Sequence, residues 1–150
     1  MYRENKIADK IVDAFVDGSQ EACDVLFVYG HASATAELVA RASRDYCRVH
    51  PNAKVIHENG IDFHNRFVER IKAGLNTFPW GNGEWDLLIF ENIHKVAGQE
   101  FSEEIVYELL DILLQQGGQI LVTGDKSVPN MLTLAPRICA QLSGGISLNL

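Results

Sequence analysis

The sequence predicts an α/β domain in which a parallel sheet lies between two layers of helices, a three-layer α/β/α arrangement. Short apolar runs such as 25–29 and 86–90 are typical of strands buried on both faces, as in a parallel sheet. Amphipathic helical segments alternate with these runs, which favours right-handed crossovers between parallel strands. No linker, internal repeat or low-complexity segment appears, so we expect a single domain over residues 1–150.

The first helix and the first strand follow from the spacing of apolar residues. In segment 5–16 apolar residues recur at helical spacing and charged residues occupy the opposite side, which predicts an amphipathic helix that ends at 17–19. The continuous apolar run 25–29 predicts the first buried strand. The predicted apolar face of the helix comprises Ile7, Ile11, Val12, Phe15 and Val16.

Two further helices flank a short second strand. The helix at 35–49 ends before Pro51, because proline breaks a helix, and a strand at 54–57 follows. Gly60 turns the chain, and Asp62 is predicted to cap a helix that runs to about Lys72. The sheet-facing residues of these two helices are predicted to be Leu38, Val39, Ala42 and Tyr46, and then Phe63, Phe67, Val68 and Ile71.

The second half of the chain continues the alternation. Residues 74–84 are predicted to form a loop before the strand at 86–90. Ser102 is predicted to cap the next helix, which ends at 117–118, where two glycines stand. The remaining predicted elements are a strand at 119–123, a helix at 130–142 that is interrupted near Pro136, and a strand at 146–150.

Composition limits the function classes that fit the chain. The net charge of −7 disfavours a general nucleic-acid binder, because phosphate contacts require clustered cations. The three cysteines lie far apart without a paired zinc spacing, so we expect free thiols in a reducing cytoplasm. The N-terminal segment lacks the apolar core of a signal peptide, and no apolar run approaches the roughly 20 residues that span a bilayer.

Segment 24–38 has the strand, the small-residue loop and the helix start that suit a phosphate-binding loop. That motif is Gly-x-x-x-x-Gly-Lys-Ser/Thr, whose lysine contacts the β/γ-phosphates and whose hydroxyl binds magnesium. Gly30 occupies the first glycine position, whereas Thr35, Ala36 and Glu37 stand where the second glycine, the lysine and the hydroxyl belong. The pattern predicts a nucleotide-binding fold that no longer needs to hydrolyse nucleotide. The alternative is a tight strand-to-helix turn without a ligand.

Several collinear segments carry a resemblance to a known family. Residues 5–8 are similar to its Asn-Arg-x-Ala opening helix, 26–30 to the strand that enters its phosphate loop, and 119–125 to its sensor strand. On these and other segments the chain resembles the nucleotide-binding core of DnaA, the bacterial replication initiator of the AAA+ class of P-loop NTPases. The resemblance implies a five-stranded sheet in the order 5-1-4-3-2. It also implies one AAA+ core domain without the family's helical lid and double-stranded-DNA-binding domain. The other segments are 52–55, 63–68, 86–89, 97–100 and 134–142.

The resemblance also marks where this sequence departs from the family's site. Glu91 stands at the magnesium aspartate, Asn92 at its acidic neighbour, and Gln141 at the arginine that reaches a neighbouring subunit's nucleotide. Thr123 and Asp125 correspond to polar positions that sense the γ-phosphate, and without phosphate we expect them to hydrogen-bond at a strand end. We therefore expect no cofactor, no metal and no catalytic residue.

Two groups of side chains are candidates for partner contacts. The helix after the second strand corresponds to the family's initiator-specific region, which helps to grip single-stranded DNA, but no basic cluster follows it here. Its cations and the nearby tryptophans could anchor a protein or stack on bases. The alternatives are a solvated helix face and tryptophans that pack in the core or pin the loop. Arg137, which matches a family arginine, is expected to form a surface salt bridge or a partner contact. The candidates are His64, Arg66, Arg70, Lys72, Trp80, Trp85 and Arg137.

The sequence therefore predicts a non-catalytic, DnaA-related protein-interaction module, a pseudo-ATPase that modulates the initiation of DNA replication. Its expected partners are DnaA, the replicative helicase or its loader, or a second copy of the chain, with weak or no nucleic-acid binding and no membrane. One alternative is a weak ATP-binding or ATPase protein of the AAA+ class. The other is a single-stranded-DNA-binding replication accessory.

Overall fold

Helices and strands alternate along the described part of the chain. The computed structural model describes residues 6–18, 23–74, 80 and 83–150. The helices are α1 (Lys6–Asp17), α2 (Ala32–Val49), α3 (Gly60–Lys72), α4 (Glu100–Gln115) and α5 (Pro136–Ser143). The strands are β1 (Val25–Tyr29), β2 (Val55–Asn59), β3 (Leu87–Glu91), β4 (Gln119–Gly124) and β5 (Ile146–Asn149). Short 3-10 helices at Ile93–Val96 and Val128–Asn130 follow β3 and β4.

The strands form one parallel sheet in the order β2-β3-β4-β1-β5. This is the order 5-1-4-3-2 that the resemblance implied, counted from the other edge. The central strands carry continuous apolar runs because both of their faces are covered, and residues 25–28 and 87–90 are all buried. The edge strands β2 and β5 alternate between more and less exposed positions. The predicted fold class and strand order are confirmed.

The two faces of the sheet pack against different helices, because successive side chains of a strand point to opposite faces. Phe27 belongs to the core that includes residues of α3, α4 and α5, whereas Leu26 and Val28 belong to the core that includes residues of α1 and α2. The sheet therefore lies between an α1–α2 layer and an α3–α4–α5 layer. The sheet-facing residues predicted for α2 are all buried, namely Leu38, Val39, Ala42 and Tyr46.

The buried face of α1 differs from the prediction at one position. Ile7 is 74% exposed, whereas Ala8 is buried with Val12, Phe15 and Val16. Positions 8, 12, 15 and 16 follow one another at helical spacing and form a single stripe, and Ile7 lies to one side of it.

Side chains from distant parts of the sequence hold the C-terminal end of α1. The His50 imidazole donates from Nε2 to the Val16 carbonyl (2.7 Å), and the Gln119 amide donates to the Phe15 carbonyl (2.7 Å). The last carbonyls of a helix have no partner within it, so His50 supplies a donor to Val16, and the Phe15 carbonyl accepts from both Gln119 and the Gly18 N–H (3.2 Å).

The predicted cap of α3 is wrong by three residues. The helix begins at Gly60, and Asp62 lies inside its first turn rather than at its cap. The capping side chain is that of Asn59, whose Oδ1 accepts the Ile61 N–H (3.0 Å). The chain can start the helix this early because Gly60 has no side chain: a Cβ there would lie 2.2 Å from the Asn92 carbonyl oxygen.

Ser102 is not the cap of α4, which begins at Glu100. The serine is fully buried, and its hydroxyl lies 2.8 Å from His64 Nδ1 on α3. Its polar group serves a contact between two helices, which a local sequence pattern does not predict.

The predicted helix at 130–142 is two elements in the structure, a 3-10 helix at Val128–Asn130 and α5 from Pro136. Residue 5, Ser19, residues 75–79 and 81–82 of the predicted loop, and the side chains of Val68 and Ile71 lie outside the described residues.

We expect Gly60→Ala to lower the free energy of unfolding by about 1–3 kcal/mol, because the added methyl group meets backbone that cannot rotate away. Urea unfolding measures this. Gly144→Ala is the matched control, since a Cβ at Gly144 would meet only the Gln141 carbonyl oxygen, at 3.6 Å. If both variants keep the parent's free energy of unfolding, the result would contradict a tight contact between Gly60 and the Asn92 carbonyl.

Candidate functional site

The loop between β1 and α2 consists of Gly30 and His31 alone. Gly30 has a φ of 143°, a conformation that favours glycine, and a Cβ there would lie 2.8 Å from the Leu150 carbonyl oxygen. The Leu150 N–H donates to the Tyr29 carbonyl (2.9 Å), and the Gly30 N–H donates to the Gly124 carbonyl (3.4 Å). Gly30 is therefore enclosed by the backbones of β4 and the residue after β5.

Helix α2 begins three residues before the predicted start, so positions 32–34 are helical rather than an open loop. The Thr35 N–H donates to the His31 carbonyl (3.0 Å), and its hydroxyl donates to the Ala32 carbonyl (3.1 Å). Thr35 is buried, and Ala36 and Glu37 are exposed. Both hydrogen-bonding groups of Thr35 are used inside the helix, and only the first-turn amides before it remain for an anion.

Glu91 lies at the end of β3 beside the edge strand. Its carboxylate oxygen Oε2 is 2.7 Å from His57 Nε2 on β2, close enough for the imidazole to donate a hydrogen bond. The sheet register sets this pair: Glu91 lies opposite Asn59, and His57 is two residues earlier, on the same face. The carboxylate that the resemblance places at the magnesium position thus has a protein partner.

Asn92 connects the ends of three strands. Its backbone has the left-handed conformation (φ 58°), which asparagine tolerates better than most residues. Its N–H donates to the Thr123 hydroxyl oxygen (2.9 Å), and its side-chain amide donates to Asn59 Oδ1 (3.1 Å). We refer to Asn59, Asn92 and Thr123 as the strand-end network, because they join β2, β3 and β4 at the carboxyl edge of the sheet.

His94 and Asp125 lie next to this network. His94 Nδ1 is 3.8 Å from Asp125 Oδ1, beyond hydrogen-bond distance, and has no hydrogen-bond partner among the described residues. Burial lowers the pKa of the His94 imidazole, and the nearby Asp125 carboxylate opposes that shift in part. The imidazole is therefore favoured in its neutral form.

Arg137 lies on α5, in contact with α4. Its guanidinium is 4.5 Å from the centre of the Tyr107 ring, a cation–π contact, and it forms no ion pair with a described residue. Gln141 donates to the Tyr107 carbonyl (3.4 Å), and the buried Glu103 carboxylate accepts the Ala135 N–H (2.6 Å) just before α5. The surface salt bridge expected of Arg137 is replaced by stacking on an aromatic ring.

A groove of about 500 Å³ lies along α3, lined by Glu58, Arg66, Phe67, Glu69, Arg70 and Trp80. Arg66 forms an ion pair with Glu58, whose side chain is only 8% exposed. The Trp80 ring is stacked with Phe63 (6.3 Å between centres) and lies 5.4 Å from Phe67. The groove therefore has an aromatic wall and both signs of charge.

The remaining candidates on this side have mainly packing contacts. The imidazole of His64 meets Ser102, but Ser102 is fully buried, so the pair cannot present a nucleophile to a substrate. The backbone N–H of Trp85 donates to Gln116 Oε1 (2.8 Å), and the ring packs partly buried against the core, while the indole Nε1–H has no hydrogen-bond partner among the described residues. The side chain of Lys72 lies outside the described residues.

The structure brings some predicted residues together and leaves others apart. Asn92 and Thr123 meet directly, whereas the groove along α3 and the Arg137 contact are built on different helices. Sequence patterns did not predict which site residues would pair with His57, Glu58, Asn59 and Tyr107. The first three lie on β2, and their position near the end of a predicted strand was the one feature of the sequence that could have placed them at the site. Within the described ranges no cluster of three or more metal-ligating side chains occurs, and no described helix is long and apolar enough to cross a bilayer.

The sequence is similar to a known protein family and to individual members of it. The family model described as the bacterial DnaA ATPase domain matches residues 2–149. The chromosomal replication initiator protein DnaA of Ureaplasma parvum is 26% identical over 128 residues, which is 83% of this chain and 28% of that protein. The corresponding protein of Acinetobacter baumannii is 28% identical over 124 residues, 81% of this chain and 27% of that protein. The match thus spans little more than a quarter of these relatives.

Solved structures of low sequence identity share the fold. A DNA replication initiation factor superposes with a TM-score of 0.86 at 21% identity, covering 97% of this chain and 46% of that one. A replication initiator DnaA bound to AMPPCP and single-stranded DNA gives 0.84 at 21% identity, with the same coverage. DnaI gives 0.69 at 11% identity, covering 95% of this chain and 79% of that one.

We expect Thr123→Val to lower the free energy of unfolding by about 1–3 kcal/mol, because the substitution leaves the Asn92 N–H without an acceptor at a nearly water-free position. Thr123→Ser keeps the hydroxyl and serves as the matched control, with a smaller loss from the missing methyl group. Urea unfolding of the parent and the two variants compares their free energies of unfolding. A serine variant that is less stable than the valine variant would contradict the role given to the hydroxyl.

Proposed function

Because the chain belongs to the bacterial DnaA ATPase domain family, we propose that it is a non-catalytic member, a protein-interaction module that modulates the initiation of DNA replication. In this proposal the chain neither binds ATP at physiological concentration nor hydrolyses it. Two alternatives remain open to experiment: a weak ATP-binding or ATPase protein, and an accessory that binds single-stranded DNA.

The observation that carries the proposal is the start of α2. A phosphate-binding loop wraps a nucleotide with free backbone amides, a lysine and a magnesium-binding hydroxyl. Here Ala36 supplies no charge, Glu37 adds a negative one, and both polar groups of Thr35 bond within the helix. A triphosphate would therefore lack the cation and the metal ligand from which this class of site derives its affinity.

The strand ends support the same proposal. The position of the magnesium aspartate holds Glu91, which is paired with His57, and the next residue is Asn92, which bonds to Thr123 and Asn59. Groups that would orient a metal or an attacking water are thus bonded to the protein itself. Gln141, at the position of the inter-subunit arginine, bonds to the Tyr107 carbonyl.

Two surfaces could carry protein contacts in this proposal. One is the groove along α3 with Arg66, Arg70 and Trp80, and the other is the α5 face with Arg137. Arginine and tryptophan are the usual anchors of protein interfaces. We propose DnaA, the replicative helicase or its loader, or a second copy of the chain as partners.

Single-stranded DNA is a weaker candidate for the same groove. Glu58 and Glu69 line it with the two arginines, and Arg66 already neutralises the buried Glu58 carboxylate. A phosphate that competed for Arg66 would leave that carboxylate buried without its partner, which is costly. A salt-dependent titration with labelled oligonucleotides tests this alternative, and tight binding that weakens steeply with salt would support it.

We expect calorimetry to detect no ATP binding below millimolar concentration and no hydrolysis above background. The triple variant Thr35→Gly, Ala36→Lys, Glu37→Thr is the matched comparison, since it restores the three phosphate-loop groups. It should gain affinity but no turnover, because Asn92 and Gln141 still stand at catalytic positions of the family. Micromolar affinity of the parent for ATP would falsify the proposal.

We expect Trp80→Ala or Arg137→Ala to weaken a partner complex by roughly 30-fold, the effect of losing an interface anchor worth about 2 kcal/mol. The partners are first captured from the native cell, with DnaA and helicase components scored, and affinities are then measured with purified proteins. Arg44→Ala, an exposed arginine on α2, is the control. Because Trp80 also packs on Phe63, Arg70→Ala tests the groove without that loss. Full affinity in all the folded variants would exclude both surfaces.

A further inference from the structure

One side of α4 carries a stripe of apolar side chains that remain exposed or partly exposed. Phe101 is 44% exposed, and Ile105 and Ile112 are partly exposed. These positions are spaced by four and seven residues, which places them along one side of the helix. The inward side of α4 packs in the core through Val106, Leu109, Leu110 and Leu113. Ile105 also packs partly against this core, so Phe101 is the most exposed member of the stripe.

A ridge of acidic side chains runs beside this stripe. It comprises Glu100, Glu104, Glu108 and Asp111, all exposed or partly exposed. Their spacing of three or four residues places them on one face of the helix. Helix α4 has five acidic residues and neither lysine nor arginine, and only Glu103 among the five is buried. None of the four ridge residues forms an ion pair with a described residue.

This arrangement works against the stability of the isolated helix. Like charges four residues apart repel, as Glu100 does Glu104 and Glu104 does Glu108. Asp111 also lies near the negative end of the helix dipole, where a cation would be favoured. The ridge is therefore an exposed acidic surface whose like-charge pairs have no ion-pair partner among the described residues.

We propose that this face, the stripe and the ridge together, is a docking surface for a basic amphipathic helix of a partner protein. The inference rests on the proposed function as an interaction module and assigns it a third surface. The ridge extends over about 16 Å, the length of three helical turns. A partner helix of that length would lay its apolar side on the stripe and its cations along the ridge, the helix-in-groove mode of recognition.

Charge decides between this occupant and a second copy of the chain. In a two-fold symmetric dimer through this face the same patch meets itself, so both acidic ridges would be brought to one interface. Each chain also carries a net charge of −7, which adds to the repulsion. A basic partner helix has like-charge repulsion along its own cations, and docking on the ridge offsets the repulsion within both helices at once.

The probe is a labelled 18-residue peptide with leucine on one helical side and lysine on the other, and its counterpart with glutamate in place of lysine. Fluorescence anisotropy compares their binding to the full chain and to the Glu108→Lys/Asp111→Lys variant. The control is Asp13→Lys/Asp17→Lys, which changes two exposed acidic residues four apart on α1 and alters the net charge equally. We expect the lysine peptide to bind the parent and the control alike, and the α4 variant at least 10-fold more weakly.

Thermal unfolding gives a second measurement. If the ridge served only to stabilise the fold, replacing its residues would lower the unfolding temperature. The Glu108→Lys/Asp111→Lys variant should unfold at a temperature roughly 1–4 °C higher than the parent, because like-charge pairs are removed and Glu104 gains a lysine four residues on. A variant more stable yet weaker in binding supports a docking face. Equal binding of the lysine peptide to parent and α4 variant, or equal binding of both peptides to the parent, overturns the inference. Neither result bears on ATP, so micromolar ATP binding would overturn the proposed function separately.

Discussion

Much of the carboxyl edge of the sheet depends on one hydrogen bond, from the Asn92 backbone to the Thr123 hydroxyl. It fixes a left-handed residue at the end of β3, and this turn directs the chain into the 3-10 helix, where Lys95 donates to the Asn92 carbonyl. The same carbonyl lies against Gly60, and the Asn92 side chain holds the Asn59 amide that caps α3. A single residue thus links the ends of three strands and the start of one helix. Thr123 is buried and Asn92 is partly buried, so loss of the hydroxyl would leave the Asn92 N–H without its protein acceptor where access for water is limited.

The two arginines proposed as partner anchors are both held by groups of their own chain. Arg66 is paired with the buried Glu58, and Arg137 is stacked on Tyr107. A side chain that is already ordered loses less conformational entropy when a partner binds, which favours affinity. The same contacts set a limit, because a partner that removed Arg66 from Glu58 would leave a buried carboxylate without its counter-charge. Partners that contact Arg66 and Arg137 without breaking their contacts with Glu58 and Tyr107 are therefore favoured.

The helices and strands were predictable from sequence because their apolar periodicity is strong and local, and the strand order required the resemblance to a known family. Helix starts were less predictable. Asp62 and Ser102 have the side chains of good caps, but α3 is capped by Asn59, and Ser102 bonds to His64, 38 residues away in sequence. The positions of Glu91 and Thr123 in the candidate site followed from the resemblance. Their partners depend on sheet register and on a left-handed turn, neither of which a one-dimensional pattern contains.

The buried pair of Glu58 and Arg66 also affects how the protein behaves at high concentration. Strand β2 lies at the edge of the sheet, and an edge with free backbone groups can recruit a strand from another molecule. Glu58 places an inward-pointing charge on this strand, which is balanced only while Arg66 on α3 stays in place. A second molecule that added its own strand here would have to preserve that ion pair or bury an unpaired carboxylate. The pair therefore disfavours edge-to-edge aggregation through β2 while leaving the helical surfaces accessible.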